Sequence, residues 1–215
     1  MTEAVLPAHQ GRSRETLVRL MRATVLLLDE TGLDGATIPR IAARAGLTPG
    51  AIYRRFPDKD ALLRAVCIQV LEENARQTHE LLKPELWKGK SLSDMCRFVI
   101  RTTLKGYSEH RGLLRALMFF SLEHSDATFV HRVAELQLKV FRDTCAFLLA
   151  GRTEIRHPDP DYAVAFALKI IGAAGRGMLL SPRRPKRRAS SVPDDENRLQ
   201  QELPKMILSY FGLES

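Results

Sequence analysis

The stretch 37–59, TIPRIAARAGLTPGAIYRRFPDK, constrains the fold most, because it carries start and stop signals for two short helices. Thr37 precedes the first helix, and its hydroxyl is expected to accept one of the free backbone N–H groups there. Gly46 is predicted to end this helix, since glycine adopts the left-handed backbone conformation without a Cβ clash. Thr48 and Pro49 then repeat the start signal for a second short helix.

The second helix is predicted to have one inward and one outward face. Ile52 and Phe56 lie four residues apart, so both are expected to face inward. Gly50, Tyr53 and Arg54 are then left on the outward face. Two short helices joined by a glycine turn, the second presenting small, aromatic and basic side chains, are typical of a helix-turn-helix.

A short αα-hairpin with a glycine turn also occurs in helical proteins of other kinds, but further residues favour the helix-turn-helix. The segment GLTPGAIYRRFPDKDALL resembles the operator-binding segment of the tetracycline-repressor (TetR) family. In that family a glycine and a small apolar residue form the turn, a tyrosine lies mid-helix, an aromatic residue closes the helix and a lysine opens the next one. The resemblance covers about residues 12–73; the remainder matches only in length and helical character. It implies a DNA-binding head of three helices at 12–58, with the helix-turn-helix motif at 37–56, and a helical regulatory and dimerisation body at 59–215.

The outward-facing residues can be sorted into phosphate contacts, which position the protein, and base contacts, which read sequence. By resemblance to the family, Tyr53 and Lys59 are clamps on the DNA backbone. Arg54 is the candidate for bidentate recognition of guanine. Arg40 is expected to touch a phosphate or a base. Arg55 stays ambiguous, because one helix face cannot present two adjacent arginines identically.

The tips of the two short helices complete the predicted interface. Free N–H groups at a helix N-terminus attract phosphate, and threonine hydroxyls lie beside them. The small residues at the tip of the second helix permit close approach and contact with thymine methyl groups. The predicted DNA-binding residues are Thr37, Arg40, Thr48, Pro49, Gly50, Tyr53, Arg54 and Lys59.

The rest of the chain predicts helices only, so the predicted fold class is all-α. Residues 1–11 are predicted to form a flexible arm, because Pro7 and Gly11 discourage a helix. A first long helix is expected from Ser13 to Gly32. Later helices are predicted at about 60–82, from Ser91 or Ser93 to 107, at 113–122, at 126–149, from Asp159 or Asp161 to 180, and at 196–211.

The resemblance also implies how the body is used. The last two long helices would pair with their counterparts in a second subunit as a four-helix bundle, although the sequence equally allows them to close a monomer's core. The body would hold a small molecule whose binding changes the separation of the two recognition helices. The aromatic and methionine content of the central helices favours a largely apolar effector. Nine side chains of the central helices could line its pocket, although residues of these types are more often simple core: Met95, Phe98, Thr102, Leu117, Phe120, His124, Phe141, Cys145 and Phe166.

The net charge of +8 is a weaker argument for DNA binding than the motif. Residues 183–188 alone carry five arginines and lysines, whereas residues 1–60 carry nine Lys/Arg against seven Asp/Glu, a net charge of +2. We predict that 183–188 form a solvated loop, with nonspecific DNA affinity or an acidic partner as the alternatives. The case for DNA therefore rests on residues 37–59.

Several classes are not expected. No apolar run is long enough to span a membrane, and the N-terminus lacks the pattern of a signal peptide. The three cysteines are odd in number and widely spaced, which favours reduced thiols in a cytoplasm. No metal-ligand cluster, nucleophile elbow or phosphate-binding glycine loop is visible, so we expect no metal, no cofactor and no enzymatic activity.

The sequence thus predicts a cytoplasmic, homodimeric transcriptional regulator. It would bind a double-stranded DNA operator as a repressor and be released by a small-molecule effector of unknown identity. Two alternatives stay open: a helical protein that binds small molecules or acts as a scaffold and no longer reads DNA, and a protein that coats DNA without sequence preference.

Overall fold

The computed structural model describes residues 6–124, 126–180 and 196–213, and these residues form helices without any strand. The all-α prediction is therefore confirmed, and none of the described helices is long and apolar enough to span a membrane. The basic segment 183–188 lies outside the described residues. The helices are α1 (Leu6–Gly35), α2 (Ile38–Ala45), α3 (Pro49–Tyr53), α4 (Lys59–Leu81), α5 (Leu92–Glu109), α6 (Arg111–Glu123), α7 (Ala127–Leu149), α8 (Pro160–Leu180) and α9 (Glu196–Tyr210), with 3₁₀ turns at Pro84–Trp87 and Arg152–Glu154.

The chain divides into two compact units. The head unit comprises the described residues of Met1–Val70 and Gly112–Val130, and the body unit comprises those of Leu71–Arg111 and His131–Ser215. The first division falls inside α4, so this helix contributes residues to both units. Helix α6 belongs to the head unit although it follows α5 in the chain. The predicted domain boundary at residue 58 stays a prediction.

Helix α1 begins earlier than predicted. It starts at Leu6, so the flexible arm predicted for 1–11 is wrong for residues 6–11, while residues 1–5 lie outside the described part. Pro7 falls in the first turn, where its missing N–H removes no helical hydrogen bond. Gly11 is tolerated within the helix at a cost of about 1 kcal/mol relative to alanine. At the other end, Gly32 (φ 67°, ψ −168°) interrupts the helix where its end was predicted.

Apolar side chains form the core of the head unit, among them Ile52 and Phe56, which were predicted to face inward. Ile41 and Ile52 are fully buried, Ile38 is buried, and Phe56 is half-buried. Leu20 of α1 is also fully buried. Helix α2 packs against α1, and α3 packs against α2. This packing holds the two short helices, because five or eight residues cannot sustain an isolated helix in water.

Residues at the start of α6 and just after its end contact other helices of the head unit. At its start, the Leu113 N–H donates to Asp29 Oδ1 of α1 at 2.8 Å. A Cβ at Gly112 would overlap the Asp29 backbone, so glycine is required for this approach. At its other end, His124 Nε2 lies 3.2 Å from Asp60 Oδ2 of α4. Within the head unit, α6 is thus fixed to both α1 and α4.

The body unit has its own core, built mainly from α5, α8 and α9 with the end of α7. Helix α5 opens with a capping box in which Ser91 Oγ accepts the Asp94 N–H at 3.1 Å, so Ser91 rather than Ser93 is the cap. At the start of α8, Asp159 Oδ1 accepts the Tyr162 N–H at 3.0 Å, so Asp159 is the cap of the predicted pair. The predicted helices of this part of the chain are confirmed to within a few residues.

Candidate nucleic-acid interface

The turn between α2 and α3 has the geometry that its glycine predicted. Gly46 lies in the left-handed region (φ 65°, ψ 40°) and its N–H bonds back to the last turn of α2. The Leu47 N–H donates to the Ala42 carbonyl at 2.9 Å and the Gly46 N–H donates to the Ala43 carbonyl at 3.2 Å, so these carbonyls at the end of α2 are paired. A side chain at Gly46 would strain the backbone at this φ. The angle between α2 and α3 is therefore set by local backbone chemistry.

The two threonine caps differ. Thr48 Oγ accepts the Ala51 N–H at 3.2 Å, as predicted. Thr37 occupies the N-cap position of α2 with an extended backbone (φ −82°, ψ 152°), but its side chain makes no cap hydrogen bond, so that part of the prediction is wrong. Within the described residues, the Thr37 hydroxyl has no hydrogen-bond partner. It remains available to an external acceptor or donor.

The outward face of α3 is as small, aromatic and basic as the sequence predicted. Ile52 is fully buried beneath it, whereas Gly50 and Arg54 are exposed and Tyr53 keeps 53% of its surface accessible. A Cβ at Gly50 would meet nothing within 4 Å, so the fold itself does not require glycine there. A glycine without a structural role on an exposed helix tip favours close approach of an external partner.

Most of the cations in 37–59 are fixed to other parts of the head unit. Arg40 donates to the Gly35 carbonyl at 2.7 Å, and Lys59 donates to the Leu33 carbonyl at 2.8 Å. Arg44 forms two bonds to Glu30 of α1, at 2.5 and 2.7 Å. This guanidinium lowers the pKa of the Glu30 carboxyl below its usual value. These bonds tie α2 and the start of α4 to α1 and to the turn that follows it.

The adjacent arginines at the end of α3 have different environments. Arg55 Nη2 donates to both the carbonyl and the hydroxyl of Ser13 on α1, at 3.2 and 2.9 Å. Arg54 is exposed and forms no hydrogen bond or ion pair within the described residues. The sequence could not distinguish the two arginines, but their contacts do: Arg55 is bonded to α1, and Arg54 is not bonded within the described residues. No sequence signal pointed to Ser13, which lies 42 residues from Arg55.

The eight residues predicted to bind DNA all lie in the head unit, on α2, on α3, beside these helices and at the start of α4. Seven are exposed and Lys59 is half-buried. Arg40 and Lys59 each use one donor on a backbone carbonyl, but both retain further N–H groups. Their roles toward DNA stay predictions.

The nine residues predicted to line an effector pocket are not gathered in one unit. Leu117 and Phe120 of α6 lie in the head unit, as does His124, which directly follows that helix. There the Phe120 ring packs 3.9 Å from the His124 ring, between centroids, and the His124 Nδ1 lies 2.8 Å from the Phe120 carbonyl. The other six lie in the body unit. Thr102 and Phe166 are exposed there, and Phe141 is half-buried. Met95, Phe98 and Cys145 belong to the core of the body unit or pack against it.

The three cysteines are free thiols. Burial raises the pKa of Cys67, raises the pKa of Cys96 to about 12, and raises the pKa of Cys145. Because the thiolate is the reactive form, all three are poor nucleophiles at neutral pH. They behave as small apolar side chains of the helices that carry them.

Residues 20–66, which contain the interface just described, match the family model of the bacterial regulatory proteins of the tetR family. Residues 20–66 are therefore similar to the N-terminal domain of the tetR-family regulators. The chain is 46% identical over 55 residues to an HTH-type transcriptional regulator BetI from Stenotrophomonas maltophilia (strain R551-3), covering 26% of this chain and 28% of that protein. It is 44% identical over 55 residues to BetI 2 from Chromohalobacter salexigens, covering 26% of this chain and 27% of that protein. The chain therefore matches little more than a quarter of the length of these curated relatives.

The fold likeness extends over nearly the whole chain. A TetR transcription regulator from Haloarcula marismortui superimposes with a TM-score of 0.65 at 18% identity, over 93% of this chain and 97% of the other. The regulator FadR from Bacillus subtilis, solved in complex with stearoyl-CoA, superimposes with a TM-score of 0.62 at 17% identity, over 90% and 98%. At these identities the structures show that the chain shares their fold.

Proposed function

We propose that this protein is a homodimeric repressor that binds a specific DNA operator and releases it on binding a small, largely apolar effector. The observation that carries the proposal is the exposed face of α3, where Gly50, Tyr53 and Arg54 project from a helix-turn-helix whose other cations are bonded internally. A braced helix with one uncommitted arginine is suited to the major groove. The BetI relatives, named as transcriptional regulators, support the same use of this domain.

The proposed roles follow from these contacts. Arg54 can direct its planar guanidinium at the O6 and N7 atoms of a guanine, because nothing in the described residues holds it. Tyr53 and the Thr37 hydroxyl are available for phosphates. Lys59 keeps two N–H donors after its bond to Leu33, so it can bind a phosphate while remaining fixed in place.

The proposed dimer uses the exposed apolar side chains of the last two helices. Tyr162 and Phe166 of α8 and Met206 of α9 are exposed. The rings of Tyr162 and Phe166 stack with centroids 6.0 Å apart, and Tyr210 lies 5.6 Å from Phe166. Exposed aromatic clusters of this kind are typical of protein interfaces. A second copy of α8 and α9 would cover them, and a two-fold dimer would read two half-sites.

The proposed effector would act through the body unit. Phe98 lies 4.7 Å from the ring of Trp87, between centroids, and Trp87 lies 5.0 Å from Phe147. Met95 and Cys145 belong to or pack against the same core. A largely apolar ligand that opened a pocket among these side chains would meet aromatic and sulfur atoms. The FadR neighbour, solved with stearoyl-CoA, supports this chemistry. Because the chain has a single tryptophan, binding beside Trp87 would change its fluorescence.

A repressor of this kind acts on the chromosome, so the proposed location is the cytoplasm. The proposal assigns no enzymatic activity. Catalysis is unnecessary for regulation by an effector, since ligand and operator affect each other's binding reciprocally.

Fluorescence anisotropy tests the DNA-binding proposal. The full chain is titrated onto DNA flanking its own gene and onto an unrelated duplex of equal length. Wild-type protein should prefer the native duplex, and Tyr53→Ala should weaken its binding. Arg54→Ala should cost about 1–3 kcal/mol of discrimination, or about 5- to 150-fold, at one base position. Arg142→Ala is the matched control, because Arg142 is an exposed arginine in the body unit. Equal binding to both duplexes would instead support a protein that coats DNA without sequence preference. Binding to neither duplex would support a helical protein that no longer reads DNA.

Sedimentation tests the dimer. Phe166→Glu should shift the protein toward monomer and weaken operator binding together, because a charge cannot be buried in an apolar interface without a partner. Leu138→Glu is the control, since Leu138 is an exposed apolar residue of α7 rather than of α8 or α9. A Phe166→Glu protein that remained dimeric would refute the proposed interface.

A further inference from the structure

The bond between Arg55 and Ser13 joins the end of the recognition helix to the first part of α1. Arg55 follows the exposed residues Tyr53 and Arg54, and its guanidinium takes both oxygens of Ser13. Ser13 therefore lies within one arginine side chain of the face proposed to enter the major groove. Since α1 begins at Leu6, this part of the chain is a helix with a fixed direction rather than a loose arm.

The helical register of α1 decides which neighbours of Ser13 face outward. Ser13 continues the buried stripe of Leu20 and Thr24, which lie seven and eleven residues further along the helix. Each residue advances about 100° around the helix axis. Arg14 therefore flanks the side that bonds to Arg55, whereas Glu15, about 200° from Ser13, lies on the opposite side. An acidic side chain beside DNA would repel phosphate, and the register keeps Glu15 away.

Arg14 itself is uncommitted. It is exposed and forms no hydrogen bond or ion pair within the described residues. Resting on the DNA-binding function proposed above, we propose that Arg14 binds an operator phosphate next to the recognition helix. Arg55 is the positioning residue: by holding Ser13, it sets the place of Arg14 and does not touch DNA itself.

The salt dependence of operator binding separates this role from a general loss of stability. The logarithm of the binding constant falls with the logarithm of salt concentration with a slope of about −0.9 for each phosphate contact. A dimer loses two contacts when one residue is substituted. Arg14→Ala should therefore make the slope shallower by about 1.8, measured between about 50 and 200 mM salt. Arg142→Ala should leave the slope unchanged.

The decisive comparison is with Arg55→Gln and the double variant. If Arg55 acts through Arg14, Arg55→Gln makes the slope shallower to a similar extent, and Arg14→Ala/Arg55→Gln changes it no further. Slope changes that add in the double variant would mean that Arg55 binds its own phosphate, which overturns the positioning role. An unchanged slope for Arg14→Ala overturns the proposed contact.

Two further measurements keep the result interpretable. Ser13→Ala removes the hydroxyl but leaves the carbonyl acceptor, so it should give a smaller change of slope than Arg55→Gln. It replaces Arg55→Gln if that variant fails to fold. A wild-type protein without preference for the native duplex would overturn the proposed function and this inference together. A selective wild type with an unaltered slope in Arg14→Ala would overturn this inference alone.

Discussion

The charged side chains of the helix-turn-helix and those of the body unit are used in different ways. In the body unit, most of the described ion pairs join residues three or four apart on one helix, as Lys205 and Glu202 do at 3.0 Å. In residues 37–59, the cations other than Arg54 bond to other segments, as Lys59 does to the Leu33 carbonyl. Exposed pairs on one helix contribute little to stability. The long-range bonds instead fix the positions of short helices that would not hold by themselves.

The two regions also differ in what lies against a glycine where two helices approach closely: backbone in the head unit and a side chain in the body unit. Substituting these glycines gives the largest expected effect on stability. Gly112→Ala would drive a Cβ into the Asp29 backbone, which cannot move without shifting α1. We expect a loss of about 3 kcal/mol in the free energy of unfolding, measured by chemical denaturation. Gly175→Ala in the body unit meets the Tyr107 ring instead, and a ring can rotate away. Its expected loss is about 1 kcal/mol.

Gly177→Ala is the control for this pair. A Cβ there would meet nothing within 4 Å, so the helix preference of alanine should stabilise α8 by up to about 1 kcal/mol. Equal losses for Gly112→Ala and Gly175→Ala would contradict the distinction between backbone and ring contacts.

The second prediction compares two lysines. Lys59→Met keeps much of the apolar stem but removes the ammonium that bonds to Leu33. Because hydrogen bonds to charged groups contribute about 1.5–3 kcal/mol, we expect a loss near the lower end of that range at this half-buried position. Lys205→Met, which removes one exposed pair on α9, should leave the melting temperature unchanged. Thermal unfolding of both variants measures the difference, and equal melting temperatures would remove the contrast between the two regions.

The features that could be predicted from the sequence are local. The stop at Gly46, the cap at Thr48 and the burial of Ile41 and Ile52 each depend on residues within a few positions of one another. The long helices could be predicted as well, because helical periodicity is also a local pattern. The fold class and the outward face of α3 followed from these local signals.

The features that sequence could not supply join distant residues. Asp29 caps α6 from 84 residues away, and Arg55 bonds to Ser13 across 42 residues. Nothing in the local pattern distinguishes these side chains from solvated ones. The start of α1 was missed because Pro7 and Gly11 were treated as helix breakers, although a proline in the first turn removes no hydrogen bond.

The third prediction compares the two threonines that begin the short helices. Thr48→Ala removes a side-chain cap and should destabilise the protein by about 1 kcal/mol, which is roughly 2–4 °C in melting temperature for a chain of this size. Thr37→Ala should change the melting temperature much less, because its hydroxyl caps nothing in the described residues. It should nevertheless weaken operator binding if that hydroxyl contacts DNA. A larger loss of stability in Thr37→Ala than in Thr48→Ala would show that the structure misassigns the caps.

The smallest expected effect is on the pH dependence of the melting temperature. It distinguishes the capping box of α5, which contains a carboxylate, from the cap of α3, which is a hydroxyl. Asp94 Oδ2 accepts the Ser91 hydroxyl at 2.9 Å and the Ser91 N–H at 3.1 Å, and these bonds lower the pKa of Asp94. A carboxyl whose pKa is lowered by folding stabilises the protein above its unfolded pKa of about 3.9, and this contribution is lost as the pH falls through the folded pKa. Acidification below about pH 4 should therefore lower the melting temperature of the wild type slightly more than that of Asp94→Asn. Thr48→Ala and wild type should respond to acid in parallel, because a threonine hydroxyl does not titrate in this range. Parallel curves for Asp94→Asn and wild type would mean that the capping box contributes nothing that depends on charge.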